Sequence, residues 1–299
     1  MYKRVLVAVD RRGLADHALP AVAALARQSL GEVLVVSQPD TAETPEAASS
    51  RVRDVVRRLE AAGAAARGEV LPTHTQPVAR LIGQAARDEG ADLVALGSRG
   101  RGDLAGLFLG TVGHQVAAQV GCPVLLVRGV EHQAAGGVQA LPIRRLLVAV
   151  GGSDQAEGAV AAARTLALEH GAAVLVVHAL EPAFEGEDAW CTETESHAEA
   201  LVPRAAQQLG EPGVTVETRV LPGGLSVAAD LAAVAEEWDA DLIVLGSRRP
   251  TDLGGLLLGS VAHGLVRRTR RPPSLATPPP WRSSRGPPSR SVAPSSSRR

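Results

Sequence analysis

Gly97-Ser98-Arg99-Gly100 is followed, after nine residues, by Gly110-Thr111, which opens the helical run Val112 to Val120. Glycines lack the side chain that keeps backbone N–H groups away from an anion. A helix start adds the positive end of its dipole, and here also the Thr111 hydroxyl. Arg99 and Arg101 stand between the glycines with positive charge. Together these groups suit the cradling of a phosphate. The same residues also have a plainer reading, in which the glycines supply turns, Thr111 caps a helix and the arginines solvate an exposed loop. Placement favours the cradle, because the run Ala91 to Leu96 just before it reads as a buried strand. In open parallel sheets ligands collect at the carboxyl ends of strands, near the point where the winding reverses.

The elements that must position this loop are visible because the chain repeats itself. Arg4-Val5-Leu6-Val7-Ala8-Val9-Asp10 returns as Arg145-Leu146-Leu147-Val148-Ala149-Val150-Gly151, and both are unbroken aliphatic runs of the kind buried on two faces. Each is followed by an Ala-rich helical stretch, His17 to Gln28 or Ala156 to His170, and then by a second apolar run, Val33 to Val36 or Val174 to Val177. Ala91 to Arg99 is echoed by Ala240 to Arg248. Strands alternating with helices form βαβ units, whose right-handed crossovers give a parallel sheet covered on both faces. The chain is therefore expected to be α/β, with two tandem doubly wound, flavodoxin-like or Rossmann-like domains. The expected division is residues 1–128, a Gly-containing linker at 129–143, a second domain at 144–271, and a Pro/Ser/Arg-rich tail at 272–299.

Composition narrows the function classes. The 31 Lys and Arg nearly cancel the 32 Asp and Glu, so no global field draws the protein onto nucleic acid or an anionic membrane. The first apolar run ends at Asp10, too soon for a signal-peptide core, and no stretch reaches the about 18 apolar residues of a membrane span. Cys122 and Cys191 are too few for a disulfide framework or a Cys-rich zinc site, which fits a reducing cytoplasm. No metal-spaced Cys/His cluster and no Ser/His/Asp set stands out.

Gly97-x2-Gly100-x9-Gly110-Thr111 resembles the ATP-binding signature of the universal stress protein family, and the resemblance spans both halves to about Arg271. It implies an adenine nucleotide, ATP with or without magnesium, as the cofactor. Its phosphates and ribose would lie along Gly97, Ser98, Arg99, Gly100 and Arg101 and along Gly110, Thr111 and Val112. Asp10 occupies the family's carboxylate position after the first strand, so that Asp10 and the backbone near Gln38 would face the base and ribose. Arg12 stands where the family typically has Ser. The second half departs further: its motif reads Gly246-Ser247-Arg248-Arg249, nine residues, then Gly259-Ser260-Val261, and Gly151 replaces the aspartate. Gly246, Arg248, Gly259, Ser260 and Val261 thus form a weaker candidate site, in which Arg249 puts a side chain where backbone should meet the ligand.

The function expected from the resemblance is nucleotide-dependent regulation in a stress response, without efficient catalysis. Two alternatives stay open: a slow ATP hydrolase or phosphotransferase, and a structural interaction module with a vestigial pocket. Expected partners are the nucleotide, the other half of the chain, and a second copy as a homodimer, but neither nucleic acid nor membrane. Gly151-Gly152-Ser153-Asp154 resembles in part the pyrophosphatase loop of adenylating enzymes, but the repeat explains it as a drifted first loop. His114 and His263 read as solvated helical histidines, and Cys122 as packing. Aligning Gly259 with Gly110 sets Arg271-Pro272-Pro273-Ser274-Leu275-Ala276 against Cys122-Pro123-Val124-Leu125-Leu126-Val127. The second half is therefore expected to lack its last strand and to be disordered from about Pro272.

Overall fold

The computed structural model describes residues 2–40, 42–73, 76–99, 111–129, 138, 140, 142–151, 155–180, 182–185, 188–191, 195–224, 226–246, 260–269 and 274–277. The first half runs β1 (Arg4–Ala8), a 3₁₀ turn (Leu14–Ala18), α1 (Leu19–Gln28), β2 (Glu32–Ser37), α2 (Pro45–Ala61), β3 (Ala65–Val70), α3 (Val78–Asp88), β4 (Leu93–Arg99), α4 (Thr111–Gln119) and β5 (Val124–Gly129). The second half runs β6 (Arg145–Ala149), α5 (Gln155–His170), β7 (Ala173–Ala179), β8 (Pro182–Glu185), β9 (Asp188–Cys191), α6 (Glu195–Leu209), β10 (Val216–Leu221), α7 (Val227–Glu237), β11 (Leu242–Gly246), α8 (Ser260–Arg268) and β12 (Ser274–Thr277).

The sheet order is β3-β2-β1-β4-β5 in the first half and β10-β7-β6-β11-β12 in the second, the same winding twice. Within each of these five-strand runs all pairs are parallel, with Leu6 beside Leu34 on one side and Val94 on the other. This is the doubly wound arrangement expected from the repeat, and the winding reverses between β1 and β4, and again between β6 and β11.

Alternation along β1 divides the core into two layers. Val5, Val7 and Val9 join the layer that holds Leu19, Leu25 and Leu59 of the first half and Leu166 and Leu209 of the second. Leu6 faces the opposite layer, built on Ile82, Val116, Leu231 and Leu265. Helices α1, α2, α5 and α6 thus cover one face, and α3, α4, α7 and α8 the other. Burying each large aliphatic side chain contributes about 1.5–3 kcal/mol.

Two expectations change. The second half does have a last strand: β12 pairs parallel with β11, Val244 beside Leu275, and antiparallel with β5, Leu275 beside Leu125. Prolines 272, 273 and 278 flank this four-residue strand and do not interrupt it, so its ladder hydrogen bonds survive. It joins both halves into one ten-stranded sheet. The disorder expected for the remainder of the tail lies outside the described residues. In the segment read as a linker, Gly129 ends β5, Ile143 is buried, and Val138 and Ala140 pack on the core. The halves also meet where the Ser29 hydroxyl lies 3.1 Å from Glu169 Oε2 and Gln28 Nε2 donates to the Glu169 carbonyl.

Candidate functional site

The first-half site starts where β1 stops. Val9 N–H donates to the Val36 carbonyl (2.9 Å), which carries the parallel ladder one residue past the strand. The chain then turns through Gly13, whose φ of 70° is left-handed and suits glycine. Asp10 organises that turn: its carbonyl accepts from Gly13 N–H (3.3 Å) and its Oδ1 from Leu14 N–H (3.2 Å). The 3₁₀ turn that follows buries Leu14 and Ala15. Asp16 then pairs with Arg58 of α2 at 2.7 Å, both side chains 19% exposed. The helical stretch read from His17 is thus divided, with α1 beginning only at Leu19, where Pro20 suits a first turn.

Gly97, near the end of β4, lies directly beneath this turn. A Cβ there would sit 2.2 Å from the Leu14 carbonyl carbon and 2.4 Å from the Ala15 nitrogen. Its glycine is required by the backbone of the first loop, a reason the spacing alone did not reveal. Ser98 and Arg99 complete β4, in register with Arg128 and Gly129 of β5. Thr111 opens α4 and Val112 packs against the second core layer. Gly100, Arg101 and Gly110 lie outside the described residues. The structure therefore brings together Asp10, Gly97 and the 3₁₀ turn at the β1/β4 reversal.

The neighbouring strand end is tied to the same place. Ser37, 1% exposed, donates to the Val9 carbonyl (2.9 Å). Arg51 of α2 donates to Ser37 Oγ from Nη2 (2.9 Å) and Nε (3.3 Å), and its Nη1 and Nη2 both bond the Glu43 carboxylate. Gln38 Nε2 donates to the Pro72 carbonyl at 3.1 Å, which joins the segment after β2 to the one after β3. Arg11 pairs with Asp40 at 2.6 Å across the same rim, where both side chains are well exposed. Ser37, Glu43 and Arg51 were not singled out by the sequence. A hydroxyl closing the apolar run Val33 to Val36 was the available signal for Ser37; Arg51 offered none.

The hydrogen bond from Arg51 holds the Glu43 carboxylate below the usual glutamate range, against the opposing effect of burial. A carboxyl group with a depressed folded value adds stability that is present above its ordinary value, about 4.3, and is lost as the pH falls through the depressed one. Glu43→Gln is therefore expected to lower stability at neutral pH but not in acid. Urea unfolding at a series of pH values should show the two curves of stability against pH converging below about pH 4.

In the second half Gly246 ends β11, Ser260 opens α8, and Val261 packs on the second layer. Arg248, Arg249 and Gly259 lie outside the described residues. Gly151 brings no carboxylate, and among the described residues nothing lies within 4 Å of where its Cβ would stand. At the place of Ser37 stands His178, 4% exposed, whose Nδ1 is 2.8 Å from the Val150 carbonyl. The hairpin β8–β9, which the repeat did not suggest, follows β7. Cys122 is buried, and desolvation pushes its thiol up to about 12, which suits packing and not nucleophilic attack. Among the described residues no cluster of three His, Cys, Asp or Glu is placed to hold a metal, and no helix is long and apolar enough to cross a membrane.

The profile of the universal stress protein family matches residues 1–128 and 142–272, so both windings are covered. The chain belongs to the universal stress protein family. A universal stress protein of Thermus aquaticus is 37% identical over 126 residues, 41% of this chain and 90% of that protein. One of Mycobacterium tuberculosis is 32% identical over 193 residues, and the chain spans only 62% of the length of that relative. A solved universal stress protein from Archaeoglobus fulgidus superimposes with a TM-score of 0.69 over 92% of this chain and 98% of its own, at 21% identity, a likeness of fold.

Proposed function

We propose that the first half of this universal stress protein binds an adenine nucleotide, ATP, as a regulatory ligand whose occupancy biases conformation or partner contacts, without efficient turnover. The observation that carries this reading is the backbone contact of Gly97 with the Leu14–Ala15 turn. It sets the half-buried Asp10 loop against the end of β4 at the reversal of the sheet. The groups fit a nucleotide. Asp10 faces the ribose and base with an acceptor, Gln38 flanks the base side, and the stretch Gly97 to Arg101 leads to the α4 start with N–H donors and positive charge for the phosphates. Magnesium, if bound with ATP, would be held by the phosphates together with acceptors from the loop.

The second half is proposed to bind nucleotide weakly or not at all, because Gly151 and Arg249 replace the aspartate and a cradle glycine. Regulation is favoured over catalysis because phosphoryl transfer needs a positioned base and metal ligands beyond Asp10.

Incubation with ATP and magnesium should show saturable binding by calorimetry and less than about one product molecule per chain per minute, well below the 1–1,000 per second typical of enzymes. Multiple turnovers per minute would establish an ATP-using enzyme instead. No titratable binding would leave a structural module.

A further inference from the structure

We infer that Arg51 is a positioning residue that sets the base side of the first-half site, acting through Ser37 on the Asp10 loop; this rests on the nucleotide reading above. The Arg51 side chain is 17% exposed, and its guanidinium is forked between two partners. One side grips Glu43, whose side chain is 9% exposed, and the other grips Ser37 Oγ. Ser37 in turn donates to the carbonyl of Val9, the residue before Asp10, and is itself followed by Gln38. One side chain on α2 therefore fixes the ends of both strands that flank the base side. Glu43 belongs to the segment between β2 and α2, so the same pair folds that segment down over the strand ends. Arg11 and Asp40 make a second, exposed tie between the Asp10 loop and that segment.

Scaffolding alone does not require this pair, and the second half shows why. The buried residues Ala48, Val52 and Leu59 of α2 correspond to Ala198, Val202 and Leu209 of α6 at a constant spacing, which sets Leu201 opposite Arg51. There the Val150 carbonyl is met directly by the ring of His178. The residue in the place of Arg51 is thus a leucine, in the half that has also lost its aspartate. A partly buried cation and carboxylate cost desolvation that the half-buried Leu201 avoids. The half that keeps the pair is the half that keeps Asp10, as expected of a device that aims the loop.

The base side and the phosphate cradle stand on different strands, β1 and β2 against β4 and α4. An experiment can therefore separate them. The full-length chain and the variants Arg51→Ala, Arg51→Lys and Ser37→Ala would be titrated with ATP and with inorganic tripolyphosphate, each by displacement of a fluorescent ATP analogue, with thermal melts as a check on folding. Arg51→Ala and Ser37→Ala should weaken ATP by about tenfold or more while tripolyphosphate changes less than about twofold. Arg51→Lys should recover part of the loss, since one ammonium nitrogen keeps the charge but cannot reproduce the paired bonds to both Ser37 and Glu43. Unchanged ATP affinity in Arg51→Ala, or an equal fall for ATP and tripolyphosphate in both alanine variants, would overturn the positioning role. Failure of the unsubstituted chain to bind ATP would instead overturn the nucleotide reading, and the inference with it.

Discussion

Gly97→Ala should destabilise the first half by about 3 kcal/mol and weaken nucleotide binding at the same time. The added methyl would fall 2.2–2.5 Å from the backbone of Leu14 and Ala15, well inside contact distance. Backbone cannot turn aside as a flexible side chain can, so either β4 or the 3₁₀ turn must move. The turn is held by Leu14 and Ala15 in the core and by Asp16 on Arg58, so displacing it also strains a half-buried ion pair. It would also draw Leu14 N–H from Asp10 Oδ1 and so shift the carboxylate proposed to face the ribose. The control is Gly151→Ala, where the new methyl meets nothing within 4 Å among the described residues and the backbone is not left-handed. That substitution should be neutral or stabilising by up to about 1 kcal/mol. Urea unfolding of both variants checks the contrast; equal stability of Gly97→Ala and the unsubstituted chain would show that the turn does not rest on β4.

Asp10→Ala is expected to reduce ATP affinity at least about tenfold, because a carboxylate hydrogen bond is worth roughly 1.5–3 kcal/mol and is lost outright. The substitution also removes the acceptor for Leu14 N–H, which costs about 1 kcal/mol of stability as loss of a turn-capping group does. Asp10→Asn separates the two roles. Its amide oxygen can still accept from Leu14 N–H, so stability should stay near that of the unsubstituted chain, while affinity falls to an intermediate value for want of the charge. Gly151→Asp should not create a second strong site, because Arg249 and His178 remain. Calorimetric titration with parallel thermal melts reads both quantities, and an unchanged affinity in Asp10→Ala would remove Asp10 from the site.

The sheet was legible in the sequence because its strands are buried on both faces. Val5 to Val9 and Leu146 to Val150 are continuous runs that need no partner to be recognised, and their repetition fixed the winding. Helix α1 was legible only in part: the apolar pattern ran on through His17, but the stretch is divided between a 3₁₀ turn that ends at Ala18 and a helix whose first turn holds Pro20. Strand β12 escaped notice because composition weighs side chains, whereas Ser274 to Thr277 is held by backbone hydrogen bonds to two neighbours. In the proposed site, Asp10 and Gly97 stood out from placement and resemblance. The reason for Gly97 was not, because it lies in a contact with residues more than eighty positions earlier. Arg51 and Ser37 meet across the turn from β2 into α2, a contact that periodicity does not encode. His178 in the second half shows the same limit: a histidine within an apolar run reads as an irregularity until its carbonyl partner is known.

The first half of the chain is proposed to hold the nucleotide site, and the second half to bind nucleotide weakly or not at all. Equilibrium dialysis of the full-length protein against labelled ATP tests it most directly, with Asp10→Ala alongside. The expected result is saturation near one ATP per chain, with that site lost or strongly weakened in Asp10→Ala; two equivalent sites per chain, or none, would contradict the claim.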